Sequence, residues 1–375
     1  YHVRFHHYRI GTSPLAMFQP VIMLLSIFYA TKVIQIIQNN VSLNTIFGNR
    51  MKKIALACFL TCFFPSLQAQ ESSSVFNFLK IPISAHTAAL GGPNVSLIDD
   101  DPTLMLNNPA LLASISDRTL NLNYMTYLKG TQAASASFVK VVGERHTLGF
   151  AGRYLSYGDM DETDETGQIL GDLSAKDIAM SGLYSYTLSE RWVGGATAHF
   201  IYSKYAEYSS VAVAVDLGLN YFNEETDFSA GLVARHIGAQ LKSFDEHTEH
   251  LPFDLQIGFS KGMEHAPIRL SVTMTDLTRW SSDYYYNPTG KKDSFGKRFF
   301  NHFVFGVDLI PTHYLYLSAG YNVRRANELK AAGSSHGAGL TFGGGLTLSR
   351  LKLGVSYAKY HVAASSLHFN ISYCL

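Results

Sequence analysis

The chain reads as an all-β protein: a transmembrane barrel of about 14 antiparallel strands carrying a short N-terminal helical plug. Three observations predict this. Apolar residues recur at every second position from about residue 118 onward, and the closing run Leu367–Leu375 is apolar at each odd position. Tight and long connections divide between alternate gaps over the same stretch. No helical segment separates the strands, so a sheet with one apolar face per strand must hide that face, and a closed barrel in lipid hides it.

Composition sets bounds without choosing. The 375 residues are 47% hydrophobic, 13% aromatic and 16% charged, which suits a membrane barrel and also a large soluble β-protein. The net charge of +1 conceals an asymmetry. Residues 1–69 hold Arg4, Arg9, Lys32, Arg50, Lys52 and Lys53 and no acid, which leaves 24 basic against 29 acidic residues, a net of −5, over 70–375. No clustered basic surface is expected, and so no nucleic-acid partner.

Residues 51–69 have the form of a secretory signal peptide: Met51-Lys52-Lys53, an apolar stretch from Ile54 to Phe64, and a small-residue exit ending near Ala69. Residues 1–50 precede it and are expected to be a mis-extended start that is not translated. A membrane helix over Pro20–Ile37 is the rival, at marginal length. Cys58 and Cys62 fall inside the apolar stretch without a lipoprotein-type small-residue box. Cys374 is then the single cysteine after the cut, so no intramolecular disulfide is expected. The expected organisation is 70–116 as plug and 117–375 as barrel.

The plug segment shows little alternation. It contains Ala88-Ala89-Leu90-Gly91-Gly92, then Asp99-Asp100-Asp101-Pro102, then Asn107-Asn108-Pro109-Ala110. Asp101-Pro102 and Asn108-Pro109 each pair a helix N-cap with proline at the first helical position, predicting two short helices inside or beneath the barrel mouth. The triple Asp, including Asp100, lacks the ordered ligand spacing of a calcium loop, and a capped, solvated turn is the better reading.

Period-two runs then place strands near 118–127, 131–141, 146–156, 176–187, 192–203, 209–222, 227–237, 252–262, 267–278, 299–310, 314–324, 336–348, 351–360 and 364–375. Val211, Val213, Val215, Leu217, Leu219 and Tyr221 give the cleanest alternation. Links at 143–145, 189–191, 223–225, 263–265, 311–313 and 349–350 are tight, whereas 157–175, 238–250, 279–298 and 325–335 are long. Short turns on one rim and long loops on the other match outer-membrane barrels, with periplasmic turns and extracellular loops. An even strand number puts both termini in the periplasm.

With the apolar positions facing outward, Arg153, Asp216, Arg235, Asp254, Arg269 and Asp308 all point inward. They form a lumen network, either a polar permeation path or, as the preferred reading, bracing that fills a narrow lumen. His236, His247 and His250 flank one long loop but lack cysteine partners, so no metal is expected there. No Gly-x-Ser-x-Gly elbow is present, and no catalytic residue or cofactor is expected. Gly343-Gly344-Gly345 is no phosphate loop; bending or close approach explains it better. Trp280 with Tyr284, Tyr285 and Tyr286 forms an aromatic loop that suits a membrane-rim girdle or a docking surface for a partner.

The run Asn77-Phe78-Leu79-Lys80-Ile81-Pro82, with Ala88–Gly92, Asp100-Asp101-Pro102 and Asn108-Pro109-Ala110-Leu111-Leu112, resembles the start of the PorV/PorQ proteins. These are relatives of the FadL-type barrels and belong to the type IX secretion system of Bacteroidetes. The likeness spans about residues 70–375 and leans to the PorQ branch. It implies a 14-stranded outer-membrane barrel without catalysis that anchors a surface protein, PorZ. PorZ belongs, with PorU and PorV, to the attachment complex that processes cargo and joins it to lipopolysaccharide. The alternative is a FadL-like importer of hydrophobic small molecules. An importer would show a continuous apolar pocket beneath the plug and a kinked wall strand; an anchor would show a filled lumen and a broad loop platform.

Overall fold

The computed structural model describes residues 74–375, apart from 129, 164–167, 246–247, 282–293, 332, 334–336 and 362–363. Residues 1–73, which include the expected signal peptide, and Tyr284, Tyr285, Tyr286 and His247 lie outside the described residues.

Fourteen strands follow the plug: β1 Thr119–Leu128, β2 Thr131–Val142, β3 His146–Thr163, β4 Ile169–Ser189, β5 Trp192–Tyr205, β6 Tyr208–Asn223 and β7 Phe228–Lys242. The second half comprises β8 Asp254–Gly262, β9 Ile268–Met274, β10 Phe303–Thr312, β11 Leu315–Asn322, β12 Leu340–Leu348, β13 Leu351–Ala358 and β14 Ser366–Cys374. Each pairs antiparallel with its sequence neighbour, and β14 returns to β1, closing the barrel. Closure leaves the sheet without a first or last strand at an edge, so amides within the closed ring pair where no water is available.

The closing seam is also bonded by side chains. Asn121 donates to Ser372 Oγ at 2.7 Å, Asn370 to Asn123 Oδ1 at 2.8 Å, and Asn123 to Ser135 Oγ at 3.0 Å. These residues are buried on the lumen side, whereas Leu122, Phe369 and Ile371 face out, each 45–50% exposed. The same division holds round the wall, with Phe150, Met180, Phe200, Leu217 and Phe342 outside. An apolar belt of this extent on a closed barrel is the surface of a membrane-spanning protein.

Both ends of the barrel lie on one rim, since Thr119 pairs with Cys374. That turn rim also carries the tight links after β2, β4, β6, β8, β10 and β12. On the opposite, loop rim the sequence reading needs correction. The predicted loop 157–175 is largely a continuation of β3 and β4 past a bulge at Ser156/Asp159, with Gly158 at φ +82°. The predicted ends of the tenth and eleventh strands are helical: α2 spans Phe295–Asn301, capped by Ser294, and α3 spans Val323–Ala331. Aromatic and apolar residues in those stretches mimic the strand period but pack as rim helices.

An outward position near mid-strand allows a direct check. Val307→Arg should destabilise the barrel by about 2–4 kcal/mol, the cost of a cation on the lipid face near the midplane. Urea unfolding in lipid vesicles will measure it, with Val307→Leu expected to be near neutral.

Candidate functional site

The plug runs the length of the lumen. It begins at the loop rim, where the Val75 amide donates to the His250 carbonyl at 3.2 Å and the Phe76 ring lies 6.4 Å from Phe244. It ends at the turn rim, where Asp117 receives the Val141 amide at 2.8 Å just before β1. The barrel ends therefore share the turn rim, while the first described residues sit at the other end of the lumen.

Between these ends the segment folds into short pieces. A 3-10 turn spans Asn77–Lys80, and α1 spans Ala85–Ala89 with the Ser84 hydroxyl accepting the Thr87 amide. Two further 3-10 turns span Pro102–Leu106 and Pro109–Ser114. These are the two pieces expected at Asp-Pro and Asn-Pro. Asp101 accepts the Thr103 amide at 2.9 Å, Asn108 accepts the Ala110 amide at 3.0 Å, and Pro102 and Pro109 occupy the first turn. The first turn and α1 carry no such signature and were not expected. Leu90, Leu97, Leu104 and Leu111 pack into one cluster at 2% exposure or less, each burial contributing about 1.5–3 kcal/mol.

The plug sweeps round the inside of the wall, and inward-facing glycines make room for it. A Cβ at Gly195 would lie 2.4 Å from the Pro109 carbonyl carbon, at Gly218 2.0 Å from Asn108 Oδ1, and at Gly231 2.0 Å from the Val95 oxygen. Across the barrel, Gly320 faces Leu90 and Gly91 at 2.1 Å and Gly343 faces Ala89 at 2.6 Å. The mid-strand glycine run of β12 is thus a close-approach surface, where Gly345 also admits the Tyr316 ring.

Three wall arginines grip plug carbonyls. Arg153 donates to Phe78 O and Leu79 O at 3.1 Å, Arg235 to Leu106 O at 3.1 Å, and Arg269 to Ile98 O at 3.0 Å. The six inward charged residues therefore do not form one network. Arg269 pairs with Asp308 at 2.9 Å, and Arg235 approaches Asp216 at 3.9 Å. Asp254 instead accepts the Asp276 amide at 2.6 Å and the Gln256 side chain at 2.5 Å. Arg153 bonds plug backbone rather than a carboxylate. Short 3-10 pieces leave many carbonyls unpaired, and arginine forks satisfy them.

Partners that period-two reading could not supply come from the plug. His86 bridges Asp308 at 3.0 Å and Asp99 at 3.4 Å and stacks on Tyr316, centroids 4.2 Å apart. The two carboxylates hold the imidazole from both ring nitrogens, Asp99 at Nδ1 and Asp308 at Nε2. Lys80 binds Asp276 at 2.9 Å, as does Arg324 at 3.0 Å. The three aspartates of the plug diverge: Asp99 faces His86 and Arg269, Asp100 accepts Ser116 and Lys352, and Asp101 caps its turn.

One constellation has the connectivity of a hydrolytic triad. Ser181 Oγ meets His199 Nδ1 at 2.8 Å, and His199 Nε2 meets Asp216 at 3.0 Å. Beside it, between plug and wall, lie two cavities of about 10 Å³ each, flanked by Arg153 and Arg235. Such a volume holds about one water molecule. The three side chains bond β4, β5 and β6 to one another across the lumen face.

His236 sits at φ +56° in a bulge of β7, its amide bonded to Asp216 at 2.6 Å and its ring to Pro252 O at 3.1 Å. Trp280 stacks over Phe295 and Phe299, with His302 4.2 Å away. Phe299 continues through Phe303 to Phe305 on the outer belt. Trp280 therefore joins the rim aromatics.

Fold and site together define a plugged transmembrane β-barrel. Several solved structures are similar to it at low identity. They include the Pseudomonas putida toluene transporter TodX, with 14% identity, TM-score 0.49, and 80% of this chain and 98% of that one covered. The CymD monoaromatic hydrocarbon channel follows at 13% identity, TM-score 0.48, with 80% and 98% covered. A FadL homologue of Pseudomonas aeruginosa gives 12%, TM-score 0.44, with 77% and 98% covered. The architecture itself rests on the chain's own strand pairing. No known family profile and no curated protein matches the sequence.

Two outcomes check the plug. Gly218→Leu should leave the barrel folded by heat-modifiable gel migration, yet unseat the plug and raise ion conductance in planar bilayers above the wild-type level. His86→Gln removes the ion-pair contacts to Asp308 and Asp99 that dock α1, and exchange protection of the α1 amides should fall relative to the wild type.

Proposed function

We propose that the chain is an integral outer-membrane protein working as a sealed anchor, with the turn rim in the periplasm and the loop rim holding a surface protein. The observation that carries this is the filled lumen: the plug rests on inward glycines, is gripped by three arginines, and leaves cavities of about 10 Å³ beside it. With the passage stopped, the features left for function are the rim elements, namely the β3–β4 hairpin, α2 and α3. The motif resemblance gives this anchor a context. It suggests the type IX secretion system, a partner resembling PorZ, and through it PorU, PorV and attachment of cargo to lipopolysaccharide.

A FadL-like transporter of hydrophobic small molecules is the second reading. It is favoured by the wall: β7 bulges at Arg235–His236, and its pairing with β8 ends at Arg235↔Asp254, so Ile237–Lys242 runs on without that neighbour. Transport is said of TodX and CymD as proteins; here it would require the plug to move.

Purification of the tagged barrel from outer membranes separates the two readings. The anchor predicts a co-purifying surface protein that is lost when the β3–β4 hairpin is shortened, and vesicles that take up neither toluene nor a fatty acid. No surface protein together with saturable uptake would reverse the ranking.

A further inference from the structure

At the loop-rim end of the lumen, away from the arginine grips, a separate group of side chains is left unsatisfied. Among the described residues, Arg325 Nη1, Tyr360 Oη, Ser356 Oγ and both ring nitrogens of His368 are buried without a hydrogen-bond partner. They lie together. Ser356 and His368 face each other across β13 and β14, and His368 is fully buried. The Tyr360 ring lies 5.8 Å from His368 and 5.8 Å from Tyr127, and the Arg325 guanidinium stands 4.3 Å over it. The Ile83 carbonyl lies close to the His368 ring and can accept from one of its nitrogens.

The chemistry of this group has one sign. Arg325 makes no ion pair among the described residues, and the neighbouring acid, Glu328, is engaged by Arg324 at 2.8 Å. A largely buried guanidinium without a counter-ion is costly, and water alone leaves the charge uncompensated. Tyrosine, serine and one imidazole nitrogen can each donate beside it. Several donors and one positive charge, with the acid in electrostatic reach, Glu328, held by Arg324, together make a cradle for oxyanions.

We propose that Arg325, Tyr360, Ser356 and His368 form a binding site for a small oxyanion, a carboxylate or phosphate group, beneath α3 and the β13–β14 connection. Arg325 supplies the charge and its planar fork, and the other three side chains complete the donor set. The rings of Tyr127 and Tyr360 flank it. The site is independent of the anchor reading and stands whether or not a surface partner is found.

The test uses the full barrel in zwitterionic detergent, unfolded thermally during titration with sodium acetate or sodium phosphate. Sodium chloride at matched ionic strength is the reference. A saturable rise in the unfolding temperature with acetate, phosphate or both is expected for the wild type. Acetate alone marks a carboxylate site, and phosphate alone a phosphate site. Arg325→Gln should weaken the half-saturating concentration tenfold or more, with Tyr360→Phe intermediate, while heat-modifiable migration shows each variant folded. Should Arg325→Gln fail to fold, Arg325→Lys serves in its place, and tenfold weaker binding is again expected. No saturable rise in the wild type, a rise equal to that of chloride, or an unchanged half-saturating concentration in the arginine variant overturns the site.

Discussion

The constraint on which this structure depends is backbone satisfaction in two places without bulk water. The wall meets it by closure, β14 against β1, so that no strand edge faces lipid. The plug cannot meet it by itself, because its 3-10 turns are too short to pair their own carbonyls. Arg153, Arg235 and Arg269 meet it from the wall. The same three side chains thus neutralise a polar plug and fix where it sits.

Close approach follows from that need. For a guanidinium to reach a plug carbonyl, the plug must lie against the wall, and a side chain at Gly195, Gly218 or Gly231 would hold it away. Glycine weakens a strand by removing a packing side chain. In this barrel the plug residues Pro109, Asn108 and Val95 fill the space, so the lost packing is recovered across the lumen. His86 then joins plug to wall through Asp308, which Arg269 and Ser318 also hold. A plug secured at so many points behaves as part of the core.

The strands were legible because lipid imposes a strict period of two, visible in Val211 to Tyr221 and in Leu367 to Leu375. The caps at Asp101 and Asn108 were legible because capping is local chemistry. The inward direction of Arg153, Asp216 and Arg269 could be inferred from parity alone. Their partners could not: His86 lies 222 residues from Asp308 in the chain, on a segment with no period. His199 shares the inward parity of β5 with Thr197, and that was the signal that could have flagged it. Helix α2 was hidden because an aromatic run such as Phe299-Phe300 fits either period over a few residues, and α3 because most of it lies in the stretch 325–335, which was read as a loop.

The alternation along the chain is enough to specify a closed, lipid-facing sheet of 14 strands with uneven rims, since an apolar outer face on each strand is a local, periodic property. That the N-terminal segment starts at the loop rim, rests on inward glycines and takes the arginines for its carbonyls is visible in three dimensions alone. Those contacts join residues far apart in the chain, and the distance between a guanidinium and a carbonyl is set by how the barrel closes, not by any spacing along it.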